Sequence, residues 1–232
     1  MLKYNFILYI VSPFILLKLI FYILRNSTKF PYLKHKLFGV RLSSSYSVWL
    51  HAASVGEMKI ALRITRSLID KGFKNILITS NTPSSKLIFE EAKLDNVDHH
   101  YLPFDFFFTT RKFVKSISAE LLIIIETEIW PNLYHHCQVH KTEIITINAR
   151  FNPPKGILGV MSKELYKNTL DKIDHIYCKS KNDVEAFKSY TDERKISYMG
   201  NIKHALVSDV VSSERVIDKK YVLLASSHHR EE

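Results

Sequence analysis

The sequence predicts an α/β protein built on a doubly wound, parallel β-sheet, and three observations support this fold class. From residue 48 onward, short apolar segments alternate with segments long enough to form helices. The apolar segments are continuous instead of alternating with polar residues, as expected for strands that are covered on both faces. Hydrophobic residues make up 46% of the 232 residues, against only 6 Gly and 7 Pro, so a sizeable core can form.

Seven short apolar segments are predicted to be the strands. They cover residues 48–52, 75–80, 99–104, 121–128, 143–149, 175–180 and 196–200. Between the first two lies MKIALRITRSLIDKG, in which apolar residues recur at helical spacing until Gly72. Ligands of doubly wound sheets bind beyond the carboxyl ends of the strands. A functional site is therefore expected in the loops that follow the strands.

The segment before the sheet is predicted to be a membrane anchor, which we assign to residues 1–28. Residues 5–24 are almost wholly apolar, and about 20 helical residues cross the hydrocarbon core of a bilayer. Lys18 and Pro13 interrupt this run, so a tilted or interfacial helix is the alternative to a full span.

Basic residues follow the apolar run, and we assign residues 29–47 to a juxtamembrane segment that contacts anionic membrane lipids. The positive-inside rule then places the body of the protein in the cytoplasm. The basic residues in and just before this segment are Arg25, Lys29, Lys34, Lys36 and Arg41.

The net charge of +10 suits a partner that carries phosphates, which could be a nucleic acid, an anionic lipid or a sugar nucleotide. Basic residues are scattered and no nucleic-acid motif is present, so nucleic acid is not expected. The sequence lacks the GxGxxG, GxxxxGK[ST] and GxSxG motifs of dinucleotide sites, P-loops and nucleophile elbows. Adjacent histidines diverge in strands and helices, so the pairs 99/100, 135/136 and 228/229 predict no metal site.

Polar residues follow five successive strands of the predicted sheet. In HAASVGEMK, Gly56 permits a tight turn and Glu57 lies in the first turn of a helix. A carboxylate there is stabilised by the helix dipole, which is an ordinary structural role, but in a cleft it could also serve as a general base. In ETEIWPN, Glu126 and Glu128 face the same side if the strand continues. The other strand-end residues are Ser54, Thr79 to Ser85, Asp105, Asn148 and Arg150.

Six motifs occur in an order and spacing that resemble the bacterial 3-deoxy-D-manno-octulosonic acid (Kdo) transferases. They are HAASVGE, LPFD, ETEIWPN, NAR, GNIK and SSHHREE. The resemblance implies a GT-B architecture, with two Rossmann-like domains facing across a cleft. It also implies transfer of Kdo from CMP-Kdo to a 6'-hydroxyl of a lipid A precursor such as lipid IVA, without a metal or other cofactor. The implied location is the cytoplasmic face of the cell inner membrane, so that the basic segment would contact inner-membrane lipids.

The resemblance also implies roles for individual residues. Glu57 occupies the position of the family's general base. Glu128, Ser54 and Arg150 are expected to support the transition state or the acceptor. Donor binding is expected of Asn201, Lys203, Ser227, His228 and Glu231.

The sequence departs from the family pattern at two glycine positions, which Ser85 and Arg230 occupy, and after NAR it reads FNPPKGILG. We expect residues 48–209 to form the acceptor domain, 210–220 a linker and 221–232 the beginning of a donor domain that is largely missing. The chain is then the acceptor half of a Kdo transferase, inactive unless a separate polypeptide supplies the donor domain. The alternatives are a membrane-tethered remnant or binding module without catalysis, and another GT-B enzyme that uses a nucleotide sugar.

Overall fold

A parallel sheet of seven strands forms the centre of the protein and confirms the predicted fold class. The computed structural model describes residues 2–25, 30–39, 42, 44–154 and 156–202, which fall in one compact unit bounded by Met1 and Ile202. Its strand order is β3-β2-β1-β4-β5-β6-β7. The strands are β1 (Val48–Ala52), β2 (Ile76–Ser80), β3 (Val97–Tyr101), β4 (Leu121–Ile125), β5 (Glu143–Ala149), β6 (His175–Cys178) and β7 (Ile196–Tyr198).

Helices connect the strands and cover both faces of the sheet, as parallel strands require. Two more helices precede the sheet. The helices are α1 (Leu2–Arg25), α2 (Phe30–Phe38), α3 (Val55–Asp70), α4 (Pro83–Glu91), α5 (Phe107–Ile117), α6 (Pro131–Val139), α7 (Gly156–Leu170) and α8 (Lys181–Lys188), with a short 3₁₀ helix at Glu193–Lys195.

The core lies around the central strands β1, β2 and β4. Every residue of β1 and β2 is buried, which explains why their sequences are apolar without alternation. Trp49 is fully buried, and its ring meets that of Phe113 edge to face at a centroid distance of 5.7 Å. The helix α3 buries Met58, Ile60 and Ala61 against the sheet.

All strands are parallel, but the side of β1 on which successive strands are added changes after β3. From β1 the chain moves outward through β2 to β3, then returns to β4 on the other side of β1 and continues to β7. This arrangement creates a topological switch point, where the loops after β1 and β4 lead in opposite directions and leave a crevice.

Four predicted strands run past the observed ends, the sixth and seventh by two residues and the third and fourth by three. The third ends at Tyr101 and not at residue 104, because Pro103 has no N–H to continue the ladder. The fourth ends at Ile125 and not at residue 128, because Glu126 adopts a φ of 61° that turns the chain away. The prediction that Glu126 and Glu128 continue this strand is therefore wrong.

The prediction of a membrane-spanning helix also needs correction. The segment is helical, but among the described residues no helix is long and apolar enough to cross a membrane. Its first turns contact the sheet unit instead: the Tyr4 hydroxyl donates to Asp105 at 2.9 Å, and Asn5 accepts from the Asn132 side chain at 2.7 Å. The Tyr9 ring stacks on Phe106.

The prediction that the basic juxtamembrane segment contacts lipid is wrong for one of its residues. Lys36 is only 4% exposed, so it cannot contact lipid headgroups, whereas Lys34 on the same helix is exposed. Lys29 and Arg41 lie outside the described residues, as do the predicted linker at 210–220 and the predicted domain start at 221–232. The predicted donor-binding residues Lys203, Ser227, His228 and Glu231 lie outside them too.

Candidate functional site

The carboxylates predicted from the sequence lie at the switch point of the sheet. Glu57 follows β1, and Glu126 and Glu128 follow the neighbouring strand β4. The three carboxylates are close enough to influence one another, since the charge of Glu126 raises the pKa of Glu57, and Glu57 and Glu126 both raise the pKa of Glu128. The fold thus brings these residues to the crevice where doubly wound sheets bind ligands.

Glu57 is held by a capping box at the start of α3. Ser54 is the N-cap and its hydroxyl oxygen accepts the backbone N–H of Glu57 at 3.3 Å. The Ser54 hydroxyl also donates to Glu57 Oε1, and the backbone N–H of Ala53 donates to Oε2, both at 2.7 Å. Such reciprocal bonds satisfy donors that a helix start leaves unpaired. The sequence signal for this capping box is the S-x-x-E pattern of SVGE.

The environment of Glu57 makes it a stronger base than an exposed glutamate. Its side chain is 8% exposed, and burial raises the pKa of Glu57 while the bonds from Ser54 and Ala53 oppose the shift. Each carboxylate oxygen keeps a second lone pair. Glu57 can therefore accept a proton from the crevice without giving up its role in the capping box.

Glu128 lies in the turn between β4 and α6. Its backbone oxygen accepts from the Tyr134 hydroxyl at 2.5 Å, which fixes the turn. Burial and the nearby carboxylates raise the pKa of Glu128 to about 7, whereas Lys36 and the indole N–H of Trp130 lower it. The Trp130 N–H is buried and its geometry falls short of a hydrogen bond to any protein acceptor.

Asp105 lies in the loop between β3 and α5 and supports this turn through the start of α6. Its carboxylate accepts the backbone N–H groups of Asn132 and Leu133 at 2.9 and 2.8 Å. These are the second and third residues of α6, whose own N-cap Trp130 offers no side-chain bond. Asp105 therefore caps α6 from a distance of 27 residues, although burial raises its pKa to about 7.

Lys36 lies buried beside the carboxylates, although its basic segment was predicted to contact lipid. Its ammonium donates to Asn81 Oδ1 at 2.6 Å and to the backbone oxygen of Leu102 at 2.8 Å. Its charge lowers the pKa of Glu128. Its place in a run of basic residues does not distinguish a buried lysine from an exposed one.

Arg150 lies beside the carboxylates at the end of β5. Its backbone N–H donates to Thr127 Oγ1 at 3.0 Å. Its side chain lines an open pocket of about 270 Å³, together with Glu126, Thr127, Ile129, Phe151, Asn152 and Tyr166. Because β5 is two strands from β1, about 10 Å away, this pocket adjoins the crevice.

Asn201 is not brought to Glu57 by the sheet. It follows β7, four strand positions from β1, or about 19 Å between strand axes. The motifs NAR and GNIK do meet, since the backbone N–H of Ile202 donates to Asn148 Oδ1 at 3.2 Å. Ser85 replaces a glycine of the family pattern, and its φ is not positive. It lies in the first turn of α4 and bonds to the N-cap residue Thr82.

The polar groups described around the crevice include the carboxylates of Glu57 and Glu128, the amide of Asn81 and the ammonium of Lys36. Within the described part of the chain, no group of three or more His, Cys, Asp and Glu side chains is arranged to hold a metal ion. The carboxylates of the crevice can exchange protons with a bound hydroxyl group.

A family model matches residues 25–206 of the chain, and its description reads 3-deoxy-D-manno-octulosonic-acid transferase (kdotransferase). A 3-deoxy-D-manno-octulosonic acid transferase of Rickettsia felis is 32% identical over 82% of this chain and 43% of the relative. One of Aquifex aeolicus is 34% identical over 68% of this chain and 40% of the relative. The chain thus spans less than half the length of these relatives.

A crystal structure of a glycosyltransferase from Rickettsia africae has a similar fold, with a TM-score of 0.51 over 72% of this chain and 47% of that chain. The two sequences are 13% identical, so this similarity concerns the fold alone.

Proposed function

The chain belongs to the 3-deoxy-D-manno-octulosonic-acid transferase (kdotransferase) family, and from this premise we propose that it supplies the acceptor half of an enzyme that transfers Kdo. The proposed donor is CMP-Kdo and the proposed acceptor is a lipid A precursor such as lipid IVA. The observation that carries the proposal is the position of Glu57 and Glu128 on either side of the switch-point crevice.

Glu57 is the proposed general base. An acceptor hydroxyl in the crevice transfers its proton to the Glu57 carboxylate, and its oxygen forms a bond to the anomeric carbon of Kdo. The bond from that carbon to the phosphate oxygen breaks, and CMP leaves with the electron pair. A buried carboxylate suits this step, because burial raises its pKa and so its strength as a base.

Glu128 and Arg150 are proposed to support the acceptor, with Ser54 holding Glu57. Arg150 carries the positive charge of the pocket next to the crevice, where it can bind a phosphate of the acceptor. Glu128, with a pKa of about 7, can donate or accept a hydrogen bond to a sugar hydroxyl at neutral pH.

Donor binding is proposed to depend on Asn201, Lys203, Ser227, His228 and Glu231 and on a C-terminal domain. That domain comes either from a longer form of this chain or from a separate polypeptide. The length of the relatives supports the proposal, since this chain aligns with only 43% of the Rickettsia felis protein.

The proposed location is the cytoplasmic face of the inner membrane, where the lipid acceptor lies. Large apolar side chains of α1 are exposed, including Phe6 at 68%, Phe14 at 71% and Leu17 at 67%. An exposed apolar surface of this size is typical of a binding site for lipid or protein. Contact of α1 with the lipid interface would hold the crevice close to the acceptor.

The experiment that tests the function is a transfer assay with CMP-Kdo and lipid IVA. We expect Kdo-bearing lipid when the chain is combined with a C-terminal donor domain, and none with either part alone. The control pairs the same donor domain with the N-terminal half of the Rickettsia felis relative. Product in that control but none with this chain would contradict the proposal and indicate a binding module without catalysis.

A further inference from the structure

A buried lysine next to a carboxylate cluster needs a physical reason, because burial of an ammonium group is costly unless it is paired. Lys36 is 4% exposed and its ammonium lies 5.3 Å from the centre of the Phe104 ring. Its two hydrogen-bond acceptors, Asn81 and the Leu102 backbone, are both neutral. Neither acceptor carries a negative charge, whereas the nearby carboxylate of Glu128 opposes the lowering of the Lys36 pKa by burial.

We propose that Lys36 is a positioning residue of the carboxylate site: it fixes Asn81 and His51 beside the crevice and supplies the buried positive charge that faces Glu128. The catalytic purpose that we assign to Lys36 rests on the proposed function. It stands on contacts of the described residues, and its test does not require transfer activity.

Lys36 orients the side-chain amide of Asn81. Since an ammonium can only donate, the Asn81 oxygen must face Lys36 and its NH₂ group must face away. The Tyr32 hydroxyl holds the Asn81 backbone oxygen at 3.0 Å. The same asparagine is thus fixed by two side chains of α2.

The orientation of Asn81 in turn sets the tautomer of His51. The Asn81 NH₂ group lies 3.5 Å from His51 Nε2, so Nε2 is the acceptor and Nδ1 carries the proton. The Nδ1–H then donates to Thr79 Oγ1 at 2.9 Å, which also accepts the Trp49 indole N–H at 2.8 Å. His51 is fully buried, and burial together with the charge of Lys36 lowers its pKa to about 3, so the ring stays neutral.

The charges around Glu128 show what Lys36 adds. Glu57 and Glu126 repel a proton-free Glu128, whereas Lys36 attracts it. Burial lowers the pKa of Lys36 to about 7, and the negative charge of Glu128 opposes that shift. Lys36 and Glu128 therefore stabilise each other's charged forms.

The test is an NMR titration of the Glu128 side-chain carbon, assigned by its loss in Glu128→Gln. In Lys36→Met we expect the midpoint to move up by about one pH unit or more, the order expected for charges several ångströms apart at an effective dielectric constant near 20. Lys36→Arg, which keeps the charge, should leave the midpoint within a few tenths of a unit. Lys34→Met, an exposed lysine of the same helix, is the matched control. An unchanged midpoint in Lys36→Met would overturn the proposal.

A reciprocal titration does not depend on the folding of the Lys36 variants. The side-chain nitrogen of Lys36 is followed in the unsubstituted chain and in Glu128→Gln, which keeps the size of the side chain. Because coupling is mutual, the midpoint of Lys36 should move to lower pH in Glu128→Gln. A midpoint that stays in place would show that the two residues are not coupled and that Lys36 only fills space.

Discussion

Glu57 serves the fold and the proposed chemistry with the same carboxylate. Its two oxygens accept hydrogen bonds from Ser54 and Ala53 at the start of α3, while burial raises its pKa. The structural and the catalytic interpretations of this residue were alternatives in the sequence. The structure shows that they are compatible, because the capping box holds the carboxylate at the switch point.

Replacement of Ser54 by alanine tests the capping box. The change removes the N-cap and the hydroxyl bond to Glu57, so the free energy of unfolding should fall by about 1 kcal/mol. Urea denaturation measures the loss. The matched control is Ser67→Ala, an exposed serine within the same helix, which should not destabilise the protein. Equal stability of Ser54→Ala and the unsubstituted chain would contradict the capping role.

At the scale of elements, α2 packs against β3 through neutral histidines. The rings of His35 and His100 lie 6.1 Å apart between their centroids, and one nitrogen of His35 and one of His99 are buried without a partner. Burial lowers the pKa of all three histidines in this contact. His99 also faces Ser80, Lys86 and Phe89. This contact also anchors the helix that carries Lys36.

Acid should weaken this contact, and His99→Phe should reduce the sensitivity. Burial lowers the pKa of His99 from 6.5 to about 3, so the unfolded chain binds more protons than the folded one between these values. Its contribution to stability is present above pH 6.5 and is lost as the pH falls through this window. The slope of unfolding free energy against pH should differ by about 1.4 kcal/mol per unit between the two proteins.

Chemical denaturation between about pH 4 and pH 6, within the window set by the shifted pKa of His99, measures these slopes. The exposed His140→Phe serves as the control for the loss of a histidine. Identical slopes in His99→Phe and the control would show that His99 does not resist protonation.

Elements far apart in sequence also build the turn that carries Glu128. Asp105 caps α6, the hydroxyl of Tyr4 in α1 reaches Asp105, and Asn5 in α1 bonds to Asn132 in α6. The sequence indicated that Asp105 follows a strand and so belongs near the site. It could not show that this carboxylate is used by backbone N–H groups 27 residues away, because such contacts depend on how the helices pack.

For the whole molecule, the sequence predicted the seven strands, their parallel arrangement and the edge of the sheet at which the candidate site lies. These features follow from local patterns, namely apolar runs and the polar residues at their ends. The strand ends at Tyr101 and Ile125 were missed, since a single φ at Glu126 decides whether Glu128 continues the strand.

The burial of Lys36 was missed for a different reason. A lysine in a basic segment is ordinarily exposed, and only the packing of α2 on β3 places this one inside. The contacts of the first turns of α1 with Asp105 and Asn132 were not predicted either. They depend on how that helix packs, which the sequence does not show.

The most direct test of the account is the rate of Kdo transfer by Glu57→Gln, measured with lipid IVA, CMP-Kdo and a C-terminal donor domain. Glutamine keeps the size of the side chain but cannot take up the acceptor proton. The account predicts a loss of about 10²- to 10⁴-fold, with lipid binding retained. The matched control Glu91→Gln, an exposed glutamate of α4, should transfer at the normal rate. Undiminished transfer by Glu57→Gln would contradict the account.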